Sequence, residues 1–199
     1  MFIQWTLRRR TVPKNQLFFY FVVVLAFLVE NIAALVKQFN GYNDWLYNGY
    51  VVIEYIMLLI FAQQSFRTKW ATRSCLLALV AYLALVAGEL HGGAKGVILY
   101  ANSLLFAWAV LTILFTVLLV RLANTVDDRS WRDQRFWVYL SIVVFMGGGI
   151  PYIGLLNQVY AHDQRMAKDL FMIIDVLFLL RYGMTTVAGY LLPRMAQNR

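Results

Sequence analysis

Six long apolar runs separated by short polar links organise this chain: approximately Gln16–Val36, Trp45–Phe66, Ser74–His91, Val97–Val120, Phe136–Asn157 and Leu170–Leu192. A helix needs about 20 mostly apolar residues to cross a hydrocarbon core of roughly 30 Å. In a water-soluble protein, apolar runs of this length alternate with polar stripes, and these do not. The pattern predicts an all-α fold: a polytopic transmembrane helical bundle of six spans.

The links reinforce that expectation. Lys37–Asp44, the turn around Gly92–Gly93 and Gln158–Asp169 fall on one side; Arg67–Arg73 and Arg121–Arg135 fall on the other. Links this short make consecutive helices antiparallel neighbours. None is long enough for a soluble core, so residues 1–199 are expected to form a single integral membrane domain. The N-terminus imitates a signal peptide, with three arginines before an apolar stretch. That stretch is too long for an ordinary signal core, contains Glu30 and has no small-residue cleavage site, so it reads as the first helix. Phe2–Leu7 suits a short segment lying at the interface.

Composition agrees with a membrane solvent: 61% of residues are hydrophobic and the mean hydropathy is +0.62. The net charge of +8 acquires meaning from its placement. Of 18 Lys and Arg, 13 lie on one side: Arg8, Arg9, Arg10, Lys14, Arg67, Lys69, Arg73, Arg121, Arg129, Arg132, Arg135, Arg194 and Arg199. Lys37, Lys95, Arg165 and Lys168 lie on the other, and Arg181 falls inside a span. Short basic loops stay cytoplasmic, which places both termini inside. The basic surface then serves anionic lipid and no nucleic acid. Most tryptophans sit near span ends, as an aromatic belt requires; Trp108 is the exception, to be buried or lipid-facing. The single cysteine, Cys75, excludes an internal disulfide and reads as packing.

Four ionisable residues lie within spans: Glu30, Glu54, Asp175 and Arg181. Each costs about 2.5 kcal/mol or more at a helix centre, so such groups normally face a bundle interior and find partners. Counting helical rise, Glu30, Glu54 and Asp175 lie about 10, 14 and 8 Å below the outer boundary, and Arg181 about 17 Å. Asn31 and Asn102 lie at similar depths, with Glu89 and His91 at the outer mouth. An outward-facing polar pocket of Glu30, Glu54, Asn102, Asp175 and Arg181 is the expectation. Tyr47, Tyr50 and Glu54 share one helical stripe, and Asp175, Tyr182, Thr186 and Gly189 another. Arg181 points about 120° from Asp175, and its long side chain matches the depth of Glu54, which predicts a Glu54–Arg181 ion pair.

The fifth run contains Gly147, Gly148 and Gly149, followed by Pro151. Glycine weakens a helix and proline crowds the carbonyl one turn back, so a kink or local break is expected there. Broken helices line substrate sites in transporters. The alternative is that the glycines let two helices approach closely. Ala84 and Gly88 offer small positions for packing or dimerisation.

Catalytic chemistry finds little purchase. Glu89, His91, His162 and Asp163 are possible Zn²⁺ ligands, yet the chain has only two histidines, and no metal or other cofactor is expected. The several histidines plus aspartate of intramembrane hydrolases of the ceramidase and progestin-receptor group are missing. No serine stands in a glycine-flanked elbow and no glycine loop cradles phosphate. All five lysines (Lys14, Lys37, Lys69, Lys95, Lys168) lie outside the spans, which excludes a retinal Schiff base.

Two stretches, WLYNGYVVIEYIMLLIFAQQSF over Trp45–Phe66 and RFWVYLSIVVFMGGG over Arg135–Gly149, carry a resemblance. Leu-Tyr-Asn, a Tyr and then Ile-Glu in the second helix, with Phe-Trp opening the fifth, resembles small uncharacterised membrane proteins of Bacteroidota-type bacteria. They are similar to this chain in length and span count, and some are encoded beside sensor histidine kinases. The resemblance implies a bacterial inner (plasma) membrane and a signalling setting. It carries no residue role to Asn48 or Glu54. The expected function is a non-enzymatic sensory or accessory module that binds a small ligand or lipid and acts through a membrane partner such as a sensor kinase. A small proton-coupled transporter using Glu54, Asp175 and Arg181 is the alternative, and a lipid-modifying enzyme the next.

Overall fold

A computed structural model describes residues 17–40, 44–91, 101–125, 130–162 and 164–196, and every regular element in them is helical. The helices are α1 (Leu17–Asn40), α2 (Asp44–Phe66), α3 (Lys69–His91), α4 (Ala101–Thr125), α5 (Gln134–His162) and α6 (Gln164–Ala196), with a 3₁₀ turn at Ser130–Arg132. Phe2–Leu7, the basic residues from Arg8 to Lys14, the turn around Gly92–Gly93, Lys95, Arg129, Asp163 and Arg199 lie outside the described residues.

The described part of each apolar run lies in one helix, and several helices outrun the hydropathy signal. The expected links at 158–169 and 67–73 are largely helical: α5 continues to His162, α6 begins at Gln164, and α3 begins at Lys69. Five helices, α2 to α6, are long and apolar enough to cross a membrane. In α1, which has 24 residues, the apolar stretch so recognised is the shorter Phe21–Ala33. The outward faces carry Leu28, Leu77, Val80, Ile113 and Leu179, all exposed. Hydrocarbon tolerates such faces, and water does not.

The chain divides into two compact units, one at Lys14–Ala107 and one containing Trp108–Arg199. In the first, α1 packs on α2 and α2 on α3. The buried face of α1 repeats every three or four residues through Phe19, Val22, Val23, Ala26, Val29 and Ala33. Phe19 meets Phe61 of α2, their ring centroids 5.9 Å apart. Helix α3 buries only a narrow seam of Ala71, Cys75 and Tyr82. Cys75 is buried there, as packing requires.

The α2–α3 connection consists of Arg67 and Thr68 alone. Arg67 has φ 54°, the left-handed conformation with which helices commonly terminate, usually on glycine. Its N–H donates to the Gln63 carbonyl at 3.1 Å. Thr68 then starts α3, its hydroxyl accepting from the Ala71 N–H at 3.3 Å.

In the second unit α5 packs along α6. Asp133 caps α5: its carboxylate accepts from the Arg135 N–H at 2.8 Å and pairs with the Arg135 guanidinium at 2.6 Å. The local break expected at Gly147–Pro151 does not occur, because α5 is helical throughout, with Pro151 inside it. The glycines serve close approach instead. A Cβ on Gly149 would lie 2.9 Å from Cε3 and Cη2 of Trp108 and closer still to Cζ3, and one on Gly148 would lie 2.8 Å from Leu177 Cδ2. Trp108 is thereby buried.

Two outcomes follow from these contacts. Arg67→Gly removes the left-handed strain and raises stability by about 1 kcal/mol, read as a higher melting temperature of the full chain in detergent. Gly149→Ala drives a methyl into the Trp108 ring and lowers stability by roughly 1–3 kcal/mol in the same measurement.

Candidate functional site

The polar groups of the first unit gather where α2, α3 and the start of α4 meet. Helix α2 brings Asn48, Val51, Glu54 and Tyr55 along successive turns of one side. Tyr55 donates its hydroxyl to the Ala78 carbonyl of α3 at 3.3 Å, and its ring lies 4.3 Å, centroid to centroid, from that of Tyr82. Glu54 is 4% exposed, a low value for a carboxylate in an apolar helix. Glu54 and Glu89 both lie close enough to Tyr82 to act on its hydroxyl electrostatically. Glu30 stands in the same relation to Tyr47.

Glu89, in the last turn of α3, has a defined task. Its carboxylate accepts the Asn102 N–H at 2.9 Å and the Ser103 N–H at 3.3 Å. These are among the first N–H groups of α4, which have no partner within their own helix. A side chain at the start of a helix ordinarily satisfies them; here the preceding helix supplies the acceptor, and its negative charge meets the positive end of the α4 dipole.

Between these groups lies a cleft lined by Asn48, Val51, Tyr82, Ser103 and Leu104. Its volume is about 10 Å³, room for about one water molecule. A drug-sized ligand needs a cavity of about 300 Å³ or more, so this cleft admits water and nothing much larger.

The second unit holds a different device. Leu177, Arg181, Thr185 and Ala188 form the buried stripe of α6. The Arg181 guanidinium lies 4.5 Å from the centroid of the Phe145 ring on α5. Phe145 is flanked by Trp108 at 5.4 Å and Phe178 at 4.9 Å. A desolvated cation over an aromatic face gains about 2 kcal/mol, which makes Phe145 the aromatic partner of Arg181 within its own unit. Asp175 lies two residues from Leu177, about 200° around the helix, and is exposed.

The expected pocket residues are therefore distributed. Glu54 and Arg181 are buried, Glu30 is half-buried, and Asn102 and Asp175 are exposed. Glu30, Glu54 and Asn102 belong to the first unit and Asp175 and Arg181 to the second, so the Glu54–Arg181 pair expected from depth joins residues of different units. Asn31 faces outward and its amide donates to the Phe27 carbonyl at 2.6 Å. His91 is exposed. Among the described residues no three His, Cys, Asp or Glu side chains converge as a metal site would require.

Tyr55, Tyr82 and Ser103 are the site residues that depth counting passed over. Tyr82 did carry a signal: a hydroxyl-tipped ring in the middle of an otherwise aliphatic run. No family model, curated protein or solved structure matches the chain.

Glu89→Ala removes the acceptor for two amides of α4 and lowers stability by about 1–2 kcal/mol, read by thermal unfolding in detergent. Glu89→Gln keeps an acceptor and loses only the charge, so it falls between the two. Equal losses in both variants would show that the dipole, rather than the hydrogen bonds, is the stabilising element.

Proposed function

We propose that the protein is a six-span inner-membrane protein with both termini cytoplasmic, a non-enzymatic sensory or accessory module that acts through a partner. The single observation that carries this reading is how the intramembrane polar groups are employed. Glu89 caps α4, Arg181 sits on Phe145, and Tyr55 ties α2 to α3. Glu89 and Tyr55 hold helices of the first unit in register beside a cleft that admits only water, and Arg181 relates α6 to α5 in the second. Such an arrangement suits a rigid module that presents surfaces better than one that engulfs a solute.

The cytoplasmic surface offers contacts for such a partner. Arg67, Lys69 and Arg73 are exposed around the α2–α3 turn, as are Arg121, Trp131 and Arg132 in the second unit. The Arg132 guanidinium lies 4.9 Å from the Trp131 ring centroid. The resemblance to proteins of which some are encoded beside sensor histidine kinases makes a kinase the first partner to seek, in a bacterial inner membrane. Native mass spectrometry of the protein released in mild detergent tests the reading. A stoichiometric second polypeptide is expected, and a lone protomer carrying a defined lipid or metabolite would sink it.

One observation favours proton-coupled transport as a second reading. Glu54 and Glu89 both act electrostatically on Tyr82, which lines the water-sized cleft, and a bound water there would give protons a route between carboxylates. In sealed vesicles under a proton gradient, Glu54→Gln then abolishes a flux that the unaltered protein sustains. Equal proton leak with and without the protein removes this alternative.

A further inference from the structure

The outward face of α6 combines two features that a lipid-facing surface does not need. Asp175, Leu179, Gly183 and Val187 follow one another at four-residue steps and all are exposed. They form a single ridge along the helix. Asp175 lies inside the apolar segment Met172–Leu191, among exposed Met172, Ile173 and Val176. An aspartate has too short a stem to carry its charge far toward water, as a lysine does. Two turns on, Gly183 has nothing within 4 Å of the position a Cβ would take. Unlike Gly148 and Gly149, it accommodates no neighbour among the described residues. A bare glycine on an exposed ridge lets another helix backbone come close.

Charge complementarity selects the occupant. Among the described residues a second copy offers no cation at this depth: Arg181, well inside its apolar helix, is 5% exposed beneath Phe145, and the other basic residues lie at or beyond helix ends. Symmetric pairing of two copies across this ridge would set carboxylate against carboxylate.

We propose that this ridge docks the transmembrane helix of a partner carrying a lysine or arginine opposite Asp175, with the two backbones closest at Gly183. The proposal rests on the accessory-module reading and specifies its contact. Within its own unit Asp175 lies near enough to Tyr152 of α5 to act on it electrostatically, but a phenol neutralises no charge; the partner's cation does, and neither charge is then left facing lipid. The pairing also sets depth and register, since a shift of one turn separates the charges by about 5.4 Å along the axis.

The test uses the full chain in phosphatidylcholine vesicles with fluorescently labelled Leu-Ala transmembrane peptides of about 20 residues. Three peptides differ at one position in their outer third: arginine, leucine or glutamate. Energy transfer from the labelled protein reads association. The arginine peptide is expected to bind about tenfold more tightly than the leucine peptide, as an interhelical polar contact of ordinary strength provides. Asp175→Asn abolishes that preference, and Gly183→Leu weakens binding of the arginine peptide, while both variants keep the melting temperature of the parent. Equal binding of the arginine and leucine peptides overturns the proposal. So does self-association that Gly183→Leu abolishes and the arginine peptide fails to compete, which makes a second copy the occupant. Native mass spectrometry separates the two claims. A second polypeptide that stays bound to Asp175→Asn overturns this surface and leaves the accessory reading standing. Selective arginine-peptide binding by a protein found alone in its native membrane supports the surface and sinks the accessory reading.

Discussion

Hydrocarbon supplies no hydrogen bonds, so a polar atom in a span needs a partner on protein. The described helices meet this demand in several ways, with the buried Thr112 hydroxyl of α4 an exception. The hydroxyls of Ser65, Thr185 and Thr186 donate to carbonyls one turn back, at 2.8, 2.6 and 2.7 Å. The Asn31 amide does the same on a lipid-facing side. Larger demands are met between helices, by Tyr55 on the Ala78 carbonyl and by Glu89 on the first amides of α4. Each of these contacts also fixes how a helix is rotated about its axis. In a bilayer, where apolar packing alone distinguishes rotations weakly, polar satisfaction supplies the orientation.

The second unit shows how a backbone feature propagates to a charged side chain. Gly149 presents no Cβ, so the Trp108 ring lies against the α5 backbone. From that position Trp108 flanks Phe145, and Phe145 offers its face to Arg181. The glycines thus contribute to the setting of a buried cation one helix away. Gly148 relates α5 to Leu177 in the same fashion, one turn before Arg181. Close backbone approach and charge burial form one design.

Much of the fold is legible in the sequence, because a length of about 20 apolar residues is a signal that soluble proteins seldom produce. All six runs appear as helices. Their ends are less legible, since hydropathy reports lipid and not backbone. Gln164, Arg165 and Lys168 are polar, yet they continue α6 beyond the apolar core. The glycine–proline stretch misleads in the other direction. Proline forfeits one backbone hydrogen bond, which neighbouring helices and local adjustments make good in a membrane, so the helix persists. The candidate site is legible by depth alone. Depth brackets Glu54 with Asp175, but azimuth separates them, with Glu54 buried and Asp175 exposed. The capping role of Glu89 leaves no local signature, because donor and acceptor lie on different helices.

That cap has an evolutionary side. Where a helix start is secured by a residue in the connecting loop, the loop is tied to its sequence. Here two of the first amides of α4 are held by a side chain anchored in α3, outside the connection at residues 92–100. A change of sequence or length in that connection leaves the acceptor for these two amides in place.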